Sequence, residues 1–245
     1  FTDHGRLYWL KVHKIPEAGR TAKGKPIINL LNLSTNERVQ AVIPIKEFKE
    51  NLFVMMVTKN GTIKRTSLDL FSRPMKKGII AITNEEGDAL VDAKITQGNQ
   101  HVILVTKFGQ SIRFEENDAR PMGRTARGVT GMRLDDGDSV IGMAVCNADV
   151  SSAKDQLLTV TEKGYGKRTP IDEYRIQGRG GSGIITMKIT DKNGPIMAVR
   201  HVTDEDGILI ASTRGKVIRT RVAEISEVGR IAQGVRLINL DDGET

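Results

Sequence analysis

The chain has 245 residues, a net charge of +7, 38% hydrophobic residues and only 4% aromatics. No run approaches the ~18 apolar residues of a membrane span, and no apolar stretch behind a basic start reads as a signal peptide. One cysteine, Cys146, and four scattered histidines, His4, His13, His101 and His201, exclude an intrachain disulfide and give no zinc-ligand spacing, so a soluble Val/Ile/Leu-core protein of a reducing compartment is expected.

Taken in order, the elements repeat. A hairpin glycine, Gly5, is followed by the basic loop Gly19-Arg20-Thr21-Ala22-Lys23-Gly24. Val54–Thr58, the turn Asn60-Gly61 and Thr62–Thr66 then form a predicted hairpin, with the loop Arg73-Pro74-Met75-Lys76-Lys77-Gly78 and the turn Glu85-Glu86-Gly87-Asp88 behind it. The third unit is the cleanest. His101–Thr106 is β-branched and apolar on both faces, as an inner strand requires, and Gln110–Phe114 returns after Gly109. The loop Gly123-Arg124-Thr125-Ala126-Arg127-Gly128 follows, then a third strand Val129–Leu134, a turn Asp135–Asp138 and a fourth strand Val140–Val145. Asn147–Lys154 is polar and reads as a loop tip. The fourth unit has Gly164 and the loop Gly178-Arg179-Gly180-Gly181-Ser182-Gly183; the fifth has Ile208–Ala211, Gly215, Lys216–Thr220, the loop Gly229-Arg230-Ile231-Ala232-Gln233-Gly234 and the turn Asp241-Asp242-Gly243. Asp69–Phe71 and Ile171–Tyr174 are long enough for one helical turn, and nothing sustains helical periodicity over ten residues.

The hairpin glycines step by 56, 48, 55 and 51 residues, and each loop closes 17 or 19 residues after its hairpin. Repeats of this length cannot bury a core singly and must stack. The prediction is one all-β array over 1–245, with approximate repeats 1–46, 52–96, 100–146, 155–202 and 206–245, each a blade of four short strands.

Charge is not spread evenly. The windows 18–25, 72–78, 120–128, 175–183 and 229–234 hold Arg20, Lys23, Lys25, Arg73, Lys76, Lys77, Arg120, Arg124, Arg127, Arg175, Arg179 and Arg230, with no acidic residue. That leaves 25 basic against 30 acidic residues elsewhere. Arginine presents a planar fork that matches phosphate oxygens, and flanking glycines let the backbone approach an anion closely. With no helix to enter a major groove and few aromatics for stacking, the expected ligand is duplex DNA held through its phosphates with little sequence preference. Lys64, Arg65, Arg113, Lys167, Arg168, Arg219 and Arg221 form a second basic series on the returning strands, of which strand alternation lets only about half face one side. The acidic turns lack the alternating ligands of a calcium loop and read as turn chemistry. No nucleophile–base set, paired carboxylates, metal cluster or nucleotide loop is found, so the chain is expected to be non-catalytic and to carry no cofactor.

The Gly-Arg-Thr-Ala-(Lys/Arg)-Gly loops, Tyr165-Gly166-Lys167-Arg168-Thr169 and Val222-Ala223-Glu224-Ile225-Ser226 resemble the C-terminal domain of DNA gyrase A over essentially the whole chain. The resemblance implies a six-bladed β-pinwheel, a propeller-like disc whose blades exchange strands with neighbours, here with five of six loops and an incomplete terminal blade. It also implies that the basic perimeter wraps duplex DNA and hands a segment to the cleavage core. The bacterial, cytoplasmic holoenzyme is a tetramer of two gyrase A and two gyrase B chains, associated with the nucleoid, with no membrane partner, that introduces negative supercoils using ATP bound by gyrase B. Tyr8, Tyr165 and Tyr174 do not match the surroundings of the family's DNA-linked tyrosine and read as packing residues. The family's box Gln-Arg-Arg-Gly-Gly-Lys-Gly is not found; Gln177–Gly183 matches it at five of seven positions. Two other readings stay open: the DNA-bending C-terminal domain of the corresponding topoisomerase IV chain, and a protein-interaction propeller.

Overall fold

The computed structural model describes residues 1–19, 21–73, 75–148 and 155–245. Arg20, Pro74 and most of the expected loop tip at Asn147–Lys154 therefore lie outside the described residues. The first repeat contributes one short strand, β1 (Arg6–Leu7). The second gives β2 (Phe53–Thr58), β3 (Thr62–Ser67), β4 (Ile79–Ile80) and β5 (Leu90–Thr96). The third gives β6 (Gln100–Thr106), β7 (Gln110–Glu115), β8 (Val129–Thr130) and β9 (Val140–Asn147). The fourth gives β10 (Gln156–Thr161), β11 (Tyr165–Pro170), β12 (Ile184–Ile185) and β13 (Ile196–Val202), and the fifth β14 (Gly207–Ala211), β15 (Val217–Arg221) and β16 (Val235–Arg236). Single 3-10 turns at Leu68–Phe71, Glu116–Asp118, Ile171–Glu173 and Val222–Glu224 follow the four full hairpins. The described residues contain no α-helix, and no helix long and apolar enough to cross a membrane.

The sheets do not coincide with the repeats. Their strand orders are β5–β2–β3–β8, β9–β6–β7–β12 and β13–β10–β11–β16, flanked by the pairs β1–β4 and β14–β15. The short third strand of each repeat thus leaves its own sheet and joins the returning strand of the repeat before it, pairing Ile79 with Leu7, Val129 with Ile63, Ile184 with Ser111 and Val235 with Gly166. This is the strand exchange the resemblance implied. Among the described residues the fifth repeat's hairpin, β14–β15, carries no exchanged strand, and Leu209 and Val217 are exposed on it.

Each exchanged strand is anchored in the same way. The carbonyl of Gly61 accepts from the amides of Gly131 and Met132 at 2.8 and 3.2 Å, that of Gly109 from Thr186 and Met187 at 2.8 and 3.5 Å, and that of Gly164 from Leu237 and Ile238 at 2.8 and 3.3 Å. Gly109 has φ +92, and a Cβ there would lie 2.3 Å from the Met187 carbonyl oxygen. Only glycine meets both demands.

At the opposite edge, β5, β9 and β13 pack on one another: the Met143 amide donates to Asp92 Oδ2 at 3.3 Å, and a Cβ on Gly142 would lie 3.1 Å from Val199 Cγ1. The exchanged strands are therefore the outer edges of the sheets. The core lies between successive sheets, with Met55, Val57 and Ile63 against Val102, Leu104 and Ile112, and Ile103 and Val105 against Leu157, Ile171 and Tyr174. Both faces of the central strands are buried, which is why β2, β6 and β10 read as nearly continuous apolar runs.

Candidate nucleic-acid interface

The basic loops of the third, fourth and fifth repeats are each held at both ends by the repeat before, entering through Met122 N to Arg65 O, Gln177 N to Arg113 O and Val228 N to Arg168 O. The loops of the third and fifth repeats turn through Ala126 N to Gly123 O at 3.2 Å and Ala232 N to Gly229 O at 3.1 Å. The loops of the second to fifth repeats then close on a glycine of positive φ pressed against the neighbour's returning strand: an added Cβ would meet Ile63 O at 2.4 Å from Gly128 and Ser111 O at 2.3 Å from Gly183. Because the exchanged strand follows at once, these four loops lie on the outer rim.

On that rim Arg73, Lys76, Lys77, Arg120, Arg127, Arg175 and Arg179 are exposed, and Arg124 and Arg230 half-buried; Lys23 and Lys25 are exposed in the first repeat's loop, which leads into no exchanged strand, and Arg20 lies outside the described residues. Several are steered by backbone. Arg179 donates through Nε to Asp118 O and through Nη1 to Thr130 O, both at 2.9 Å, and Arg230 through Nη1 to Ile185 O at 2.5 Å. These arginines keep other donors for an anion, since a guanidinium has five. Arg127 stands 3.9 Å from Glu85, both exposed, a pair that salt screens and that contributes little.

The returning-strand series is placed differently. Lys64 and Lys167 have no exposed surface. Lys64 Nζ donates to Ala81 O at 2.6 Å and to Arg124 O, and Lys167 Nζ to Gly229 O at 2.8 Å and to Arg230 O. Each lysine thus ties down the backbone of the next repeat's basic loop. Arg65 lies over the Phe53 ring at 3.9 Å and donates to Asn117 Oδ1 at 2.6 Å. Arg113 donates to Ile171 O at 2.9 Å and Tyr174 O at 3.1 Å, and Arg168 to Ile225 O at 2.6 Å. These arginines clasp the 3-10 turn of the following repeat. Lys64, Arg65 and most of Arg168 are consequently inside the array rather than on the rim, a correction to the sequence expectation; Arg219, with its neighbour Arg221, is exposed. Tyr174 is buried with its hydroxyl 2.7 Å from Thr186 Oγ1.

A family model described as the DNA gyrase C-terminal domain, a β-propeller, matches residues 1–46, 53–97, 100–147, 155–203 and 208–245. The chain belongs to that family. It is 44% identical over 244 residues to DNA gyrase A of Salmonella typhimurium and 44% over 245 residues to that of Staphylococcus epidermidis. Both matches cover 100% of this chain and 27% of the relative, so the chain spans about a quarter of their length. A solved gyrase A C-terminal domain superposes with TM-score 0.85 at 27% identity, over 99% of this chain and 78% of that one. The C-terminal domain of DNA topoisomerase IV gives TM-score 0.85 at 24% identity, over 98% and 73%, a likeness of fold.

In this gyrase C-terminal-domain chain the buried lysines had a sequence signal that charge counting passes over. Lys64 and Lys167 stand three residues after their hairpin glycines, where Ile112 and Ile218 stand in the third and fifth repeats, and an apolar equivalent marks an inward position. Burial, reinforced by Arg124, pushes Lys64 down to about 8; burial and Arg230, against Glu173, do the same to Lys167. Between about pH 8 and the ordinary lysine value of 10.5 the unfolded chain binds more protons, so folding gains as pH rises, by up to ~1 kcal/mol per pH unit and lysine. Buried Cys146, pushed up to about 11, and Tyr174, pushed up to about 12, act oppositely above their ordinary values of 9 and 10. Urea unfolding at pH 8 and 9 is expected to show wild type gaining stability relative to K64M/K167M; equal pH dependence would contradict burial of the charged amines.

Proposed function

We propose that this domain binds double-stranded DNA through its phosphates, without reading bases, and bends it around the rim of the array. The observation that carries this reading is the repeated seating of glycine-closed basic loops on the outer strand of the preceding sheet, one rim studded with exposed cations. Phosphate contacts of this kind position a duplex but carry no sequence information. The domain needs no cofactor and performs no bond-breaking itself. It presents the bent segment to the cleavage core of a bacterial gyrase, formed with the rest of gyrase A and with gyrase B in an A2B2 tetramer, for ATP-dependent negative supercoiling.

The test is topological. Relaxed plasmid bound to the domain and treated with a nicking–closing enzyme should carry positive supercoils after the protein is removed. Duplex affinity with no change in linking number would favour bending without wrapping, the reading allowed by the shared fold with topoisomerase IV. No duplex affinity would favour a protein-interaction propeller. The double substitution R124Q/R127Q is expected to weaken binding to all sequences alike and to flatten the log–log salt slope by about 2, measured by anisotropy on unrelated duplexes.

A further inference from the structure

The rim loops carry more than cations. Met75, between Arg73 and Lys76, is 62% exposed; Ile231, beside Arg230, is 62% exposed; and Ile176, beside Arg175, is 53% exposed. Met75 and Ile231 share one position, three residues before the closing glycines Gly78 and Gly234. Ile176 stands where Pro121 stands one repeat earlier, each bridged to the returning-strand arginine of the repeat before, Arg113 and Arg65. Single exposed aliphatics call for no explanation. Three in rim loops, each next to a cation (Lys76, Arg175 and Arg230) on a surface otherwise built mostly of small, polar and basic residues, are a pattern. None of the three belongs to a buried core cluster, and Thr125 and Gly180 show that the Met75/Ile231 position closes equally well with a small residue.

A cation that grips a phosphate places its immediate neighbour over the edge of a groove. Proteins that bend DNA sharply set Met, Ile or Pro there as wedges that force adjacent base pairs apart, at a cost of a few kcal/mol for each step unstacked. Flexible pyrimidine–purine steps give way most easily.

Building on the DNA-bending reading above, we propose that Met75, Ile176 and Ile231 are minor-groove wedges, so that the duplex rounds the rim in discrete kinks at flexible steps rather than in a smooth curve. The arginines and lysines hold the strands, and the aliphatic tips choose where the bend is made.

The full 245-residue chain is mixed with a duplex of about 100 base pairs carrying 2-aminopurine in place of adenine at TpA steps. Binding by the wild type is expected to raise emission roughly two-fold at a subset of steps, as bases unstack. M75S/I176S/I231S should abolish that rise while leaving the salt slope of binding unchanged, and M75L/I176L/I231L should keep it. Salt-dependent binding without any emission change, or an undiminished rise in the serine variant, would overturn the wedges and leave phosphate binding standing. Absence of salt-dependent duplex binding by the wild type would remove both.

Discussion

Raising monovalent salt from about 50 to 200 mM is expected to loosen this domain from duplex DNA by about four orders of magnitude. The figure rests on the exposed cations of the basic loops. Lys23, Lys25, Arg73, Lys76, Lys77, Arg120, Arg127 and Arg179 all stand exposed in the basic loops. If roughly eight cations each neutralise one phosphate, released counterions give a log–log slope near −7. Bending 20–30 base pairs by 40–90° costs on the order of 1–6 kcal/mol, so fewer contacts would leave little net affinity for a wrapped path. Anisotropy titrations across the salt range measure the slope directly. A slope shallower than about −3 would mean that most loops do not touch the duplex together.

The second large effect concerns the joints. Gly109→Ala is expected to cost about 3 kcal/mol or more, since alanine at φ +92 is strained by roughly 1–2 kcal/mol. In addition, its Cβ would sit 2.3 Å from Met187 O and push away the exchanged strand that donates to the Gly109 carbonyl. Each backbone hydrogen bond lost there removes about 1 kcal/mol. Gly215→Ala is the internal control. Gly215 has φ +83 but no atom within 4 Å of the built Cβ, so only the conformational strain remains, about 1–2 kcal/mol. Urea denaturation of the two variants separates the terms, and equal losses would show that close approach to the neighbouring strand is not what Gly109 serves.

The repeat and its punctuation were legible because they are imposed locally. A hairpin that must accept a neighbour's strand needs glycine at its apex, so Gly61, Gly109 and Gly164 stand out in the sequence as sharply as in the fold. The destination of the third strand was not legible from its residues. Val129–Leu134 reads as a strand of its own repeat, yet only Val129 and Thr130 pair, and with Ile63 and Thr62 of the repeat before. Two residues carry too little pattern to name a partner, and the exchange came from family resemblance instead. The second basic series failed for a different reason. Alternation assumes one wet face, and β3, β7 and β11 are covered on both, so Lys64, Arg65, Arg113 and Lys167 turn inward to carbonyls that no sequence pattern announces. The exposed loop cations were legible because little packs over them: loops that bury little keep their chemistry visible in the sequence.

Strand exchange has a mechanical corollary. If a duplex is held as proposed, its tension pulls on a loop whose footing is the sheet of the preceding repeat, so the load crosses the boundary between blades instead of peeling one blade open from within. Neighbouring repeats are stitched in series like overlapping shingles, and such a rim yields by losing adjacent units together, not by shedding one at a time.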